Sequence, residues 1–222
     1  MLGGLVDEIF DHIKKARKVL RDVVHKTPLD RSRTFSEMSG AKSLYLKLEN
    51  LQKTGSFKPR GAYYKIYTLS DQEKKRGVVA VSSGNHAQGV AYAASIQNVS
   101  AKIVMPIFAP ISKILATRSY GAEVVLYGET FDEAAEKVKE IIEKEGRTLI
   151  HPYDDKYVIA GQGTIGLEIL EDLKNPEVVV VPVGGGGLIS GIAIALKKKL
   201  GDKVKIIGVQ SDAYPGVMAR LG

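Results

Sequence analysis

Apolar side chains recur every three to four residues between Leu5 and Val24, at Ile9, Ile13, Ala16, Leu20, Val23 and Val24, and this spacing predicts an amphipathic helix. Thr27-Pro28-Leu29 breaks it. Leu44 to Leu48 alternates apolar and polar positions as a strand does, and Arg60 to Leu69 resumes a helical spacing. Ser70-Asp71-Gln72-Glu73 is a capping box opening a further short helix. From Val78 the pattern becomes regular. Strand Val78 to Val81 precedes helix Ala87 to Ile96, strand Lys102 to Met105 precedes helix Ile111 to Tyr120, and strand Glu123 to Tyr127 precedes helix Asp132 to Glu145. Strand Thr148 to His151 precedes helix Tyr157 to Leu173, buried strand Val178 to Val183 precedes helix Leu188 to Leu200, and strand Lys205 to Val209 follows. Strands that are nearly continuous in Val and Ile, alternating with helices, predict an α/β fold with parallel sheet covered on both faces.

Composition narrows the class of protein. A chain of 222 residues with 44% hydrophobic and 26% charged residues can build one or two compact units with a substantial core. It has no cysteine, which removes thiol chemistry and suits the reducing cytoplasm. The first helix mixes Asp7, Glu8, Asp11, Lys14 and Lys15 among its apolar residues, unlike a signal peptide, and no apolar run approaches membrane-spanning length. The formal net charge of +7 raises the question of nucleic acid. The cations, however, are interspersed with acids, as along Glu133 to Glu145, and no basic run is interleaved with aromatic residues. Lys197-Lys198-Lys199 falls at a predicted helix C-terminus, where cations complement the dipole. Neither nucleic acid nor membrane is expected as a partner. His12, His25 and His151 lack metal-ligand spacing, so no metal is expected.

Three segments carry candidate chemistry. In Ser56-Phe57-Lys58-Pro59-Arg60-Gly61-Ala62, Pro59 biases Lys58 toward extended backbone and suits a first helical turn, which places Lys58 at a strand-to-helix junction aimed into a cleft. Its alternative reading is a surface lysine. Ser82-Ser83-Gly84-Asn85-His86-Ala87-Gln88-Gly89 and Gly184-Gly185-Gly186-Gly187-Leu188 each join a strand to a helix through small residues, leaving unpaired N–H groups and a positive dipole end that suit an anion. A dinucleotide loop is a poor match for the second, because Ile189 stands at the last position of G-x-G-x-x-G and Gln210, not an acid, ends the following strand.

Together with His151-Pro152-Tyr153-Asp154-Asp155 and Ala160 to Glu168, these segments resemble the pyridoxal-phosphate enzymes of fold type II (tryptophan synthase β-like). The similarity is greatest to the threonine ammonia-lyase (threonine dehydratase) family, with serine racemases as kin. The resemblance implies two domains. A small one spans residues 72–152, and a large, cofactor-binding one is built from 1–71 and 153–222. Such enzymes continue beyond the point reached by Arg220-Leu221-Gly222, so the large domain is expected to be truncated at its C-terminal side and the partner of the pyridine nitrogen to be missing.

The resemblance also implies roles. Lys58 condenses with the aldehyde of pyridoxal 5'-phosphate and then serves as base at the substrate Cα. Phe57 covers a ring face or simply fills core, Asn85 bonds the ring oxygen, and Gly184, Gly185, Gly186, Gly187 and Leu188 hold the phosphate. Ser82, Ser83, Gly84, Asn85, His86 and Ala87 hold the substrate carboxylate, although the loop could use His86 only as a structural residue. The implied reaction is β-elimination of L-threonine or L-serine to 2-oxobutanoate or pyruvate and ammonia, in a cytoplasmic dimer or tetramer serving isoleucine biosynthesis. Ser83 keeps serine racemization open as an alternative, because racemases carry a serine acid/base there; Gln210, where racemases carry an acidic metal ligand, weighs against it. An inert fragment is the third reading.

Overall fold

A computed structural model describes residues 2–213 together with Gly216, Val217 and Ala219; Arg220, Leu221 and Gly222 lie outside the described residues. Helix α1 (Leu2–Val19) buries Ile9, Ile13 and Ala16 against Tyr64, Ala160 and Ala195. The helix is shorter at its C-terminal end than its apolar spacing predicts. Leu20 to Val24 continue as turns whose side chains Leu20 and Val24 remain in the same core.

Strand β1 (Leu29–Ser32), helix α2 (Arg33–Ser39) and strand β2 (Leu44–Lys47) follow, the two strands pairing antiparallel with Leu29 opposite Lys47 and Ser32 opposite Leu44. Neither β1 nor α2 is visible in the hydrophobic pattern, because Asp30 and Arg31 interrupt the strand and the helix is short and exposed. Local chemistry defines α2 instead: the Ser32 hydroxyl accepts from the Phe35 N–H at its start, and Gly40, at φ 69°, ends it. A 3-10 turn, Glu49–Leu51, leads to helix α3 (Lys58–Tyr67) and then to α4 (Asp71–Arg76), which opens with the expected Ser70–Glu73 capping box.

The regular part of the chain folds as predicted. Strands β3 (Val78–Val81), β4 (Ala101–Met105), β5 (Glu123–Leu126) and β6 (Thr148–Leu149) form a parallel sheet in the order β5-β4-β3-β6. Helices α5 (Asn85–Ile96) and α6 (Ile111–Ser119) cover one face together with α3, and α7 (Phe131–Glu145) covers the other. The strand period explains the division. Val78 and Ala80 join the core with Val90 and Ile103, while Val79 and Val104 join Ala134, Val138 and Ile141. Strand β6 is shorter than predicted, yet the Ile150 N–H still donates to the Val79 carbonyl at 2.9 Å, so the chain leaves the sheet at His151.

Helix α8 (Lys156–Asp172), strand β7 (Val178–Pro182), helix α9 (Gly187–Leu200) and strand β8 (Lys205–Val209) complete the fold, with β7 and β8 parallel. The expectation that Val178–Val183 is wholly buried is corrected here. Val181 is buried with Ile165, Ile192 and Leu196, but Val178 and Val180 are 51% and 60% exposed. Successive strand residues face opposite ways, and among the described residues only one face of this pair is covered. No helix of the described residues is long and apolar enough to cross a membrane.

Candidate active site

Lys58 is the first residue of α3, with Pro59 in the first turn. It does not sit at a strand-to-helix junction, because β2 ends at Lys47 and a looped segment intervenes; the preference of Pro for a first turn prevails over its bias on the preceding residue. The amine is half-buried, lies 5.3 Å from the centroid of the Phe57 ring and donates to the Pro152 carbonyl at 2.8 Å. Burial lowers its pKa to about 8, which gives it an appreciable neutral fraction near neutrality. Phe57 is half-buried. Its ring lies near the amine and also packs in the core that contains Leu188 and Ile189.

The second segment faces this lysine across a close helix contact. A Cβ on Gly89 would lie 2.9 Å from the Lys58 Cβ and 3.0 Å from the Lys58 carbonyl carbon, so only glycine lets α5 approach α3 at this point. Ser82, Ser83 and Gly84 are half-buried, and the Ser82 hydroxyl accepts from the Gly84 N–H at 3.2 Å. Asn85 is exposed, and its side-chain oxygen lies 3.5 Å from the Lys113 amine of α6. The side chains of His86 and Ala87 turn inward. Ala87 is in the core, and His86 Nε2 lies 2.8 Å from the Ile150 carbonyl. A carbonyl only accepts, so Nε2 carries a proton. Burial, reinforced by the nearby Lys58 charge, pushes its pKa down to about 3. These two residues therefore present only backbone to the loop.

In the third segment Gly186 is the N-cap of α9 at φ 92°, and the Gly184 carbonyl accepts from the Gln210 side-chain amide at 3.1 Å. Gly184 is open, with nothing within 4 Å of where a Cβ would stand. Gly185 and Gly187 differ, since a Cβ there would run into the Tyr153 ring and the Tyr153 main chain respectively. Helices α2, α4, α7 and α8 begin with a capping side chain, whereas α3, α5, α6 and α9 have none. No acid lies in the first turn of any of those four. In α3 Pro59 has no N–H and the Arg60 N–H bonds the Phe57 carbonyl, so it is at α5 and α9 that the first N–H groups remain available to an anion.

Residues 150–153 join the three segments. Ile150 meets His86, Pro152 meets Lys58, and Tyr153 meets Gly185 and Gly187. Sequence reasoning gave this stretch no role of its own, because two of its three contacts use main-chain carbonyls that any residue type supplies.

It also missed the charge network behind α3. Arg60 is fully buried and bonds both Glu49 oxygens at 2.8 and 2.9 Å and both Glu168 oxygens at 2.8 and 2.9 Å. Lys47 reaches Glu168 at 2.7 Å. Burial by itself would raise the Glu168 pKa, but Arg60 and Lys47 outweigh it and hold the carboxyl below its usual range. The first turn of α3 is thereby tied to α8. Among the described residues no His, Cys, Asp or Glu cluster could hold a metal ion.

Comparison with known proteins gives consistent matches. The family described as pyridoxal-phosphate dependent enzyme matches residues 20–221. L-threonine ammonia-lyase of Thermotoga maritima is 58% identical over 211 residues, which cover 95% of this chain and 52% of that protein. The processed form of threonine deaminase isoform 2 from Solanum lycopersicum superposes with a TM-score of 0.86 at 46% identity, over 92% of this chain and 56% of the other. Serine racemase from Dictyostelium discoideum superposes with a TM-score of 0.89 at 41% identity, over 96% and 68%. The chain spans about half the length of the Thermotoga and Solanum relatives.

Proposed function

The chain belongs to the pyridoxal-phosphate-dependent enzyme family, and from that premise we propose that it eliminates water from L-threonine or L-serine, yielding 2-oxobutanoate or pyruvate and ammonia. The contacts of residues 150–153 with Lys58, the Ser82–Ala87 loop and the glycine loop carry this reading, since they gather an amine and two anion-binding loops around one stretch of chain.

The residues suit pyridoxal 5'-phosphate. A half-buried amine with its pKa near 8 suits an aldehyde, and an open, uncapped glycine loop at the start of a 14-residue helix suits a phosphate. In this reading Gly184, Gly185, Gly186, Gly187 and Leu188 hold the phosphate through N–H groups, Phe57 lies along the ring, and Asn85 bonds the ring oxygen. When bound, the cofactor supplies an electron sink for the pair left at the substrate Cα. Ser82, Ser83, Gly84 and Asn85, with the N–H groups of His86 and Ala87, hold the substrate carboxylate at the start of α5. Lys58 Nζ takes the Cα proton, a task its lowered pKa favours near neutral pH. Loss of the β-hydroxyl then releases an enamine, which hydrolyses to the oxo acid and ammonia. We further assign residues 72–152 to a small domain and 1–71 with 153–222 to a large one, in a cytoplasmic homo-oligomer, dimer or tetramer, of the isoleucine biosynthetic route.

The test is direct. Protein mixed with pyridoxal 5'-phosphate should turn yellow, and borohydride should bleach it while fixing the label on Lys58. L-threonine should release 2-oxobutanoate. A colourless protein, or label elsewhere than Lys58, would overturn the assignment. A racemase reading draws on Ser83 and on the likeness to the Dictyostelium enzyme. It requires D-serine to form from L-serine and to disappear in Ser83→Ala.

A further inference from the structure

A run of four glycines has no side chains with which to hold its own shape, and glycine is the most freely rotating residue. A phosphate cradle nevertheless gains affinity only if its N–H groups are fixed before the ligand arrives. Two anchors are visible at its ends, the Gln210 amide on the Gly184 carbonyl and the helix beginning at Gly187. Between them the wall is Tyr153. Its ring fills the space a side chain at Gly185 would take, and a Cβ on Gly187 would stand 2.8 Å from its carbonyl oxygen and 2.9 Å from its Cα.

Tyr153 is itself held on both sides. Its N–H donates to His151 Nδ1 at 3.3 Å, and the two rings meet edge to face at 4.7 Å. Asp154 N–H donates to the same nitrogen at 2.8 Å, and Asp155 caps α8 by accepting from Tyr157 and Val158. The residue before Tyr153 accepts the Lys58 amine. One rigid post therefore touches the glycine loop with a ring and the reactive lysine with the adjoining carbonyl.

We propose that Tyr153 is a positioning residue that sets the glycine loop at the separation from Lys58 which a phosphorylated aldehyde must span. The proposal rests on the function given above. It also divides the glycines by reason: 184 is open to the ligand, 186 needs its positive φ, and 185 and 187 make room for Tyr153.

The experiment titrates pyridoxal 5'-phosphate and pyridoxal separately, by absorbance, into wild type, Tyr153→Phe, Tyr153→Ala, Gly185→Ala and the Tyr153→Ala/Gly185→Ala double variant. The affinity ratio of the two compounds reports the phosphate cradle alone. Tyr153→Ala should lower that ratio about tenfold, within the range for residues in direct contact, leave pyridoxal binding unchanged, and be rescued by Phe. Gly185→Ala should lower it in wild type and have no further effect once the ring is gone. Tyr153 is 39% exposed, so its truncation leaves the core intact, which a melting curve verifies. An unchanged ratio in folded Tyr153→Ala, or additive effects in the double variant, would refute the positioning role alone. A wild type with no preference for the phosphorylated compound would refute the functional reading as well.

Discussion

The Lys58 amine donates to the main-chain carbonyl of Pro152 across 2.8 Å, joining residues 94 positions apart in sequence. The bond orients the amine without a carboxylate to stabilise its charge, so desolvation is the cause of its lowered pKa.

The first consequence is a pH profile. With a pKa of about 8 in place of 10.5, the neutral amine grows in as pH rises through 8. The rate of reaction with pyridoxal should climb and level above that point, and the phase should vanish in Lys58→Ala. A midpoint near 10.5 would show that the amine is fully hydrated.

His86 makes a prediction about acid stability. Its folded pKa of about 3 lies below the reference of 6.5, so between those values the unfolded chain binds a proton that the folded chain refuses. The stabilisation is complete above 6.5 and is lost as pH falls toward 3. Urea midpoints measured across this window should fall less steeply in His86→Gln, which keeps a donor for the Ile150 carbonyl.

Gly89→Ala places a methyl 2.9 Å from the Lys58 Cβ and 3.0 Å from the carbonyl carbon of that residue, so α5 must move off α3. Overpacking of this kind costs about 1–3 kcal/mol. Denaturant unfolding should detect that loss, and pyridoxal binding should weaken with it, because the shift displaces the base of Lys58.

Arg60→Ala leaves Glu168 buried with Lys47 at 2.7 Å and Arg17 only at 3.8 Å, and deprives Glu49 of a fork that engages both its oxygens. Breaking a buried pair in this way costs about 3–5 kcal/mol. Arg60→Lys should recover only part of the loss, since an ammonium cannot serve two carboxylates bidentately. Equilibrium unfolding of both variants measures the difference.

Much of the fold was legible because most of the parallel strands are short runs rich in Val, Ile or Ala and the longer helices repeat their apolar positions, local patterns that burial on a sheet face demands. The strand β1 and the helix α2 were not, since Asp30 and Arg31 hide the first and a serine cap with a terminal glycine defines the second. Lys58, the Ser82–Ala87 loop and the glycine loop announced themselves by residue type. Tyr153, Pro152 and the Arg60 network did not.

The sequence by itself determined which elements form and which side chains can do chemistry, because periodicity, capping residues and glycine runs act over a few neighbouring positions. Only the tertiary structure decided that Pro152 receives the lysine, that the His86 imidazole turns inward to Ile150, and that Tyr153 walls the glycine loop. These are contacts between distant segments, several made through main-chain carbonyls, and a carbonyl is the same atom whatever residue carries it.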